Sequence, residues 1–301
     1  IIGFSAHIAA YTKPVIPFRV AGLFNFFQEM VLMNRTKRIV AAILAIAMCA
    51  VLFAGCGTKT ESAKTGVEDG VLTVAMECAY APYNWTQSDD SNGAVPIKDS
   101  SDYANGYDIM MAKKICEANG WKLEVVRLDW DSLVPAVQTV KVDAVIAGQS
   151  MTADRMQQVD FAGPYLYATI VCMTKQNSKY ANATSLADLA GAKCTSQLGT
   201  IWYDTCLPQV KGALLETGAV DFICTDMPTA QGALIAYSDL KILDLPEDAF
   251  KVDEGDINIG ISVKKGNTEL KDKINSALAG MTADDFNKIM SEATKIQPLS
   301  K

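Results

Sequence analysis

Arg155 closes the stretch Ser150-Met-Thr-Ala-Asp-Arg155, and its planar guanidinium can grip a carboxylate through two parallel hydrogen bonds. Asp154 and Asp160 lie close by in sequence, so a surface ion pair is the competing reading. Asp226 precedes Met227-Pro228, where a carboxylate either caps the helix that follows or faces a ligand. Gly199-Thr200 falls where a strand gives way to a helix. There the amides of Thr200 and Ile201 meet an anion at a positive helix end, or the pair is only a tight turn. Tyr80, Tyr83, Trp85 and Trp130 can wall a site or fill a core. These groups suit recognition of a small charged molecule better than bond-making.

Composition narrows the chemistry further. The chain has 301 residues and one histidine, His7, which lies upstream of the part expected to fold. That argues against a histidine general base, a Ser-His or Cys-His pair and a histidine-ligated metal; carboxylate chemistry stays open. No Cys-x-x-Cys spacing occurs among the eight cysteines, so no metal and no cofactor are expected. Cys172 and Cys224 sit in apolar runs, which favours reduced, buried thiols over disulfides. The formal net charge is −7, with no basic stripe beyond Arg35–Arg38, so no nucleic-acid partner is expected.

The elements that must position these residues alternate. Val71–Met76 reads as a strand, Tyr107–Asn119 as an amphipathic helix ended by Gly120, and Lys122–Leu128 as a strand. Trp130–Val140 reads as a helix and Val142–Ala147 as a buried strand. A second round follows, with helices at Leu186–Leu189, from Gly199 to Cys206, and at Ala213–Thr217. Strands are expected at Lys193–Gln197 and Ala219–Thr225, then a helix at Met227–Ala236, a strand at Ile257–Val263 and two closing helices. Such alternation predicts mainly parallel sheets covered by helices, with ligands at the carboxyl ends of the strands. Two rounds imply two lobes, with the cleft between them as the site.

The first seventy residues carry an address rather than a fold. Met33–Arg38 is cationic, Ile39–Ala54 is apolar, and Ala54-Gly55-Cys56 follows. This is the layout of a secretory signal peptide at 33–55, and Cys56 resembles the lipidated cysteine of a bacterial lipobox. Phe53 stands where the lipobox has leucine, which sits one residue earlier as Leu52. The apolar run is short for a span of about 20 residues. Residues 1–32 are expected to be an upstream extension foreign to the native protein, with an added membrane-surface helix as the alternative. Residues 56–70 are small and polar and read as a flexible tether.

Five motifs occur in order: Tyr80-Ala-Pro-Tyr-Asn-Trp85, Gly106-Tyr-Asp-Ile109, the run from Asp143 to Tyr165, Gln197-Leu-Gly-Thr200, and Gly218 to Asp226. Through them, Val71 to Ile296 resembles the polar amino-acid-binding branch of the bacterial ABC-transporter solute-binding proteins, family 3. The resemblance implies an α/β, two-lobed, periplasmic-binding-protein-like (type II) fold with a hinge. Lobe 1 would be 71–166 with 258–301, and lobe 2 would be 167–257. It implies a monomer that binds a free L-amino acid and delivers it to ABC transporter permease subunits by lobe closure. The protein would be exported and held at the outer face of the membrane by lipid on Cys56.

By the same resemblance, Arg155, Ser150, Thr200 and Ile201 take the ligand carboxylate. Asp226, the Gly148 carbonyl and the Ser150 hydroxyl take the ammonium. Tyr80 and Trp130 sandwich the ligand side chain. Glu77 reads the ammonium or the side-chain tip, and Gln197 adds a polar wall. The rivals are a dehydratase on the same scaffold, with Glu77 as acid or base, and an amino-acid sensor. Two departures stand out. Only Leu207–Gly212 separates Cys206 from Ala213, so lobe 2 is expected to be shortened by about a strand and half a helix. An Asp-, Ser-, Asn- and Gly-rich insert from Gln87 to Asn105 is expected to form a surface loop near the cleft mouth.

Overall fold

The structure is a computed structural model that describes residues 69–216 and 219–298. The expected extension at 1–32, the signal peptide at 33–55, Cys56 and the tether as far as residue 68 lie outside the described residues. Among the described residues, no helix is long and apolar enough to cross a membrane.

The chain opens with β1 (Val71–Met76), apolar along most of its length because it lies inside a covered sheet. Four short strands follow: β2 (Ala79–Tyr80), β3 (Asn84–Gln87), β4 (Val95–Pro96) and β5 (Tyr103–Asn105). Helix α1 (Tyr107–Asn119) ends at Gly120, whose φ of 68° lets its N–H reach back to the Cys116 and Glu117 carbonyls. Then come β6 (Lys122–Arg127), α2 (Trp130–Gln138), β7 (Ala144–Ser150), α3 (Ala153–Gln158) and β8 (Val159–Tyr167). The second round contains β9 (Ile170–Lys175), β10 (Lys193–Thr195), β11 (Leu214–Leu215), β12 (Phe222–Asp226), α4 (Met227–Ala236) and β13 (Leu240–Ile242). The chain closes with α5 (Glu254–Ile257), β14 (Asn258–Lys264), α6 (Thr268–Leu278) and α7 (Ala283–Ile296).

Two five-stranded sheets form the cores of two lobes, in the orders β6-β1-β7-β14-β8 and β11-β10-β12-β9-β13. β1 pairs parallel with β6 and β7, whereas β14 runs antiparallel to both β7 and β8. The sheets are therefore mixed rather than mainly parallel. The reason is connectivity: the chain leaves the first sheet after β8 and re-enters it as β14.

Four sequence expectations are corrected here. The segment expected as a helix at Ala213–Thr217 holds the strand β11, which pairs parallel with β10 through Lys193↔Leu214 and Cys194↔Leu215. Leu214 and Leu215 are half exposed at a sheet edge, and so short an apolar run carries no usable period. The smaller lobe 2 sheet expected from the sequence is thus not found, since both sheets have five strands. The helix expected from Gly199 to Cys206 is a π-helical turn at Trp202–Cys206, followed by a 3-10 turn at Leu207–Gln209. The insert from Gln87 to Asn105 is a loop only in part: residues 88–93 and 98–99 are exposed, but the short strand β4 lies between them. Its ends join a four-stranded antiparallel sheet, β2-β3-β5-β4, that buries Trp85, Ala94, Ile97 and Ala104.

A buried polar chain ties the first lobe to the cleft. Asp108, in the first turn of α1, accepts hydrogen bonds from Asn84 Nδ2 at 2.7 Å and from the Tyr165 hydroxyl at 2.7 Å. The same Tyr165 oxygen accepts the Gly148 N–H at 3.0 Å. Burial pushes the Asp108 carboxyl up to about 7, against the help of these two donors. The folded chain therefore holds a proton that the unfolded chain releases near pH 3.8. This contribution to stability is full below that pH and is lost as pH rises through about 7. Asp108→Asn should flatten the pH dependence of Tm across that window in thermal melts. Parallel Tm curves for the two proteins would contradict the assignment.

Candidate functional site

The residues singled out in the sequence converge where the ends of β7 and β12 face each other. Tyr80, Trp130, Gly148, Ser150, Arg155, Gln197 and Thr200 line one small cavity, joined by Trp202. The first five come from the first lobe and the others from the second. Its volume is about 10 Å³, room for roughly one water. The lobes thus meet tightly.

Arg155 is fixed from both sides. Thr152 caps α3 by accepting the Arg155 backbone N–H. The guanidinium donates to the Ser150 carbonyl at 2.9 Å and, across the cleft, to the Gly199 carbonyl at 2.8 Å. It also lies over the Trp130 ring, 5.2 Å from its centroid. Burial pulls its pKa down, while the Asp204 and Asp256 carboxylates work to keep it charged. The surface ion pair is not formed: Asp160 pairs with Lys265 Nζ at 2.9 Å.

Asp226 fills both roles that the sequence left open. Its carboxylate caps α4 by accepting the Thr229 N–H at 2.9 Å, and it also accepts the Thr229 hydroxyl at 2.9 Å. The Tyr80 hydroxyl donates to it across the cleft. Asp226 is fully buried, and burial raises its carboxyl pKa against the pull of these hydrogen bonds. An ammonium brought to this carboxylate would relieve that desolvation.

The aromatic wall is layered. Tyr80 stacks on Tyr83 with centroids 4.8 Å apart and planes 4° apart. Tyr83 is buried against Tyr80, Trp85 is buried but does not line the cavity, and Tyr80 does line it. Trp130 is half-buried and donates its indole N–H to the Gly199 carbonyl at 3.3 Å. Glu77 and Gln197 meet across the cleft, the Gln197 amide donating to the carboxylate at 3.1 and 3.2 Å. Burial raises the Glu77 pKa; the Gln197 bond opposes this, and Asp129 and Asp131 add like charge.

Two expectations shift. Ile201 is not among the residues that line this cavity; with Arg155 and Thr200 it lines a neighbouring one that also holds Asp204, Asp253 and Asp256. The turn after Thr200 is too short for a substantial helix dipole, so the anion argument at Thr200 and Ile201 loses force. The Thr200 hydroxyl itself donates to the Gln197 carbonyl at 2.7 Å. Sequence reasoning missed Trp202, which lines the cavity together with Tyr80. The available signal was an aromatic residue two places after Gly199-Thr200.

The sequence model of the bacterial extracellular solute-binding proteins, family 3, matches residues 72–293, and the chain belongs to that family. A putative ABC transporter arginine-binding protein 2 of Escherichia coli is 27% identical over 252 residues, covering 79% of this chain and 93% of that protein. The arginine-binding extracellular protein ArtP of Bacillus subtilis is 28% identical over 163 residues, and there the match spans 54% of this chain and 55% of that protein. Among solved structures, an amino acid ABC transporter substrate-binding protein of Streptococcus pneumoniae bound to L-arginine is similar at 26% identity and TM-score 0.59, covering 75% of this chain and 95% of that one. An ancestral arginine-binding protein bound to arginine is similar at 31% identity and TM-score 0.57, covering 74% and 97%.

Gly148 shows how closely the wall is packed. Its φ is +66°, and a Cβ there would lie 3.2 Å from both Tyr80 Cε1 and Tyr83 Cδ1. Gly148→Ala should lower stability by about 1–2 kcal/mol from the left-handed backbone alone, measured by urea unfolding. It should also displace Tyr80. A variant as stable as the parent would contradict this packing.

Proposed function

We propose that the cleft takes up a free L-amino acid, with its carboxylate on Arg155 and Ser150 and its ammonium at Asp226 and the Gly148 carbonyl. Tyr80, Trp130 and Trp202 would enclose the side chain. The observation that carries this reading is Arg155 on an interlobe gap walled by aromatic rings, with the buried Asp226 carboxylate next to it, hydrogen-bonded to the hydroxyl of the lining residue Tyr80. A zwitterion complements both charges. The protein binds an amino acid and delivers it to an ABC importer by lobe closure.

Opening must come first, because a gap of about 10 Å³ admits no amino acid. The bonds to Gly199 from Arg155 and Trp130, and those between Tyr80 and Asp226 and between Glu77 and Gln197, must then break. The lobes pivot on the crossings at 165–169 and 256–260, in this reading. Glu77, with Asp129 and Asp131 beside it, favours a cationic side chain.

Thermal unfolding of the protein against the common amino acids, cystine and ornithine tests this. The cargo should raise Tm strongly, as expected for a ligand in large excess over its Kd. Arg155→Ala should erase the response while leaving the fold. Glu77→Gln should weaken a cationic cargo about tenfold or more, the loss of one charge-assisted hydrogen bond. A cooperative transition that no amino acid moves would refute the proposal.

We further propose that the protein is exported and works as a monomer, anchored by lipid on Cys56 at the outer face of the membrane. In a bacterial host, Cys56→Ser should move it from the membrane to the soluble fraction. Unchanged membrane retention would count against the anchor.

A further inference from the structure

Four buried thiols that the cleft does not use gather in lobe 2. Cys172, Cys194, Cys206 and Cys224 are each at most 1% exposed. Cys172 on β9 and Cys224 on β12 are direct partners in an antiparallel ladder, so their side chains share a face. Cys194 on β10 pairs with Phe222, two residues from Cys224, and so points to the same face. Cys206 comes from the π-helical turn at Trp202–Cys206, and Cys172 and Cys206 are the nearest titrating neighbours of the Cys224 thiol.

Register decides which pair is best set for a covalent bond. The Met227 N–H donates to the Thr169 carbonyl at 2.9 Å, one step beyond the Asp226↔Ile170 pair. Hydrogen-bonded pairs alternate along an antiparallel ladder, so Cys224↔Cys172 is a non-hydrogen-bonded pair. In such pairs the Cα atoms are about 4.5 Å apart and the side chains are closest. That separation falls within the roughly 4.4–6.8 Å that a disulfide spans.

We propose that Cys172 and Cys224 form an oxidation site, at which a low-molecular-weight disulfide converts the two thiols into a cross-strand disulfide that staples β9 to β12. The Cys224 thiolate attacks one sulfur of the small disulfide; its S–S bond breaks and one small thiolate leaves. The Cys172 thiolate then attacks the Cys224 sulfur of the mixed disulfide, and the second small thiolate leaves. The protein pair loses two electrons and two protons, and the small disulfide gains both to become two thiols. The neighbouring Cys172 and Cys206 thiols, and then burial, raise the Cys224 thiol well above its ordinary value, so thiolate forms when lobe 2 opens locally. β12 ends at Asp226 and β9 begins just after the chain enters lobe 2, so the staple ties the proposed ammonium site to the crossing.

Incubating the full chain with oxidised glutathione, with and without sub-denaturing urea, and mapping peptides without reduction tests this. The expected product is one Cys172–Cys224 link, formed more than tenfold faster in urea, with Tm raised by several degrees until a reductant is added. Cys206→Ser should keep the link. Cys224→Ser should abolish it, and Cys172→Ala gives the same readout if that variant does not fold. A Cys206–Cys224 link, persistent glutathione adducts, thiols that all stay free in urea, or an unchanged Tm would each overturn the proposal.

Discussion

A guanidinium held between two lobes organises this molecule. Arg155 is bonded on one side to the end of β7 and on the other to Gly199, with the Trp130 ring against its face. Burying a cation is unfavourable unless its donors are met. Here backbone carbonyls, rather than a carboxylate, meet two of its five N–H donors, and others remain for an anion. Much of the surrounding structure serves this placement. The Thr152 cap starts α3 at the right residue, and Gly199 takes a φ of +68° at the turn whose carbonyl meets the arginine. Asp108 and Tyr165 fix the Gly148 N–H on the same strand.

Opposite this cation sits a carboxylate that burial makes reluctant to ionise. Asp226 is held by the α4 cap and by the Tyr80 hydroxyl, all of them neutral donors. Arg155 thus lines the gap, and the desolvated Asp226 carboxylate sits beside it, hydrogen-bonded to the Tyr80 hydroxyl. A ligand carrying both charges on one carbon would replace the cross-lobe hydrogen bonds with stronger charge-assisted ones. That difference is what allows a ligand to shift a lobe equilibrium; a ligand with equal affinity for open and closed forms would shift nothing.

Much of this was legible in the sequence where local and global signals agree. Helix α1 is bounded as Gly106 and Gly120 dictate, and β12 followed by α4 is announced by Asp226-Met-Pro. Arg155, Ser150 and Gly148 share one strand-to-helix segment, so their convergence followed from a single motif. Legibility failed where the signal was too short or too local. Two leucines at an edge cannot show a strand period, and β4 is equally brief. The polar insert folds into a sheet because its few apolar residues, Ala94, Ile97 and Ala104, are buried. Trp202 reaches the cavity through a π-helical turn, a geometry that no periodicity announces.

The central claim is that Arg155 recognises a carboxylate. The most direct measurement is calorimetric titration with the amino acid that raises Tm most and with its decarboxylated amine, which keeps the side chain and the ammonium. The amino acid should bind, and loss of the carboxylate should weaken binding by at least about a hundredfold, near the 3 kcal/mol upper end for charge-assisted hydrogen bonds. Equal affinity for the two would contradict it.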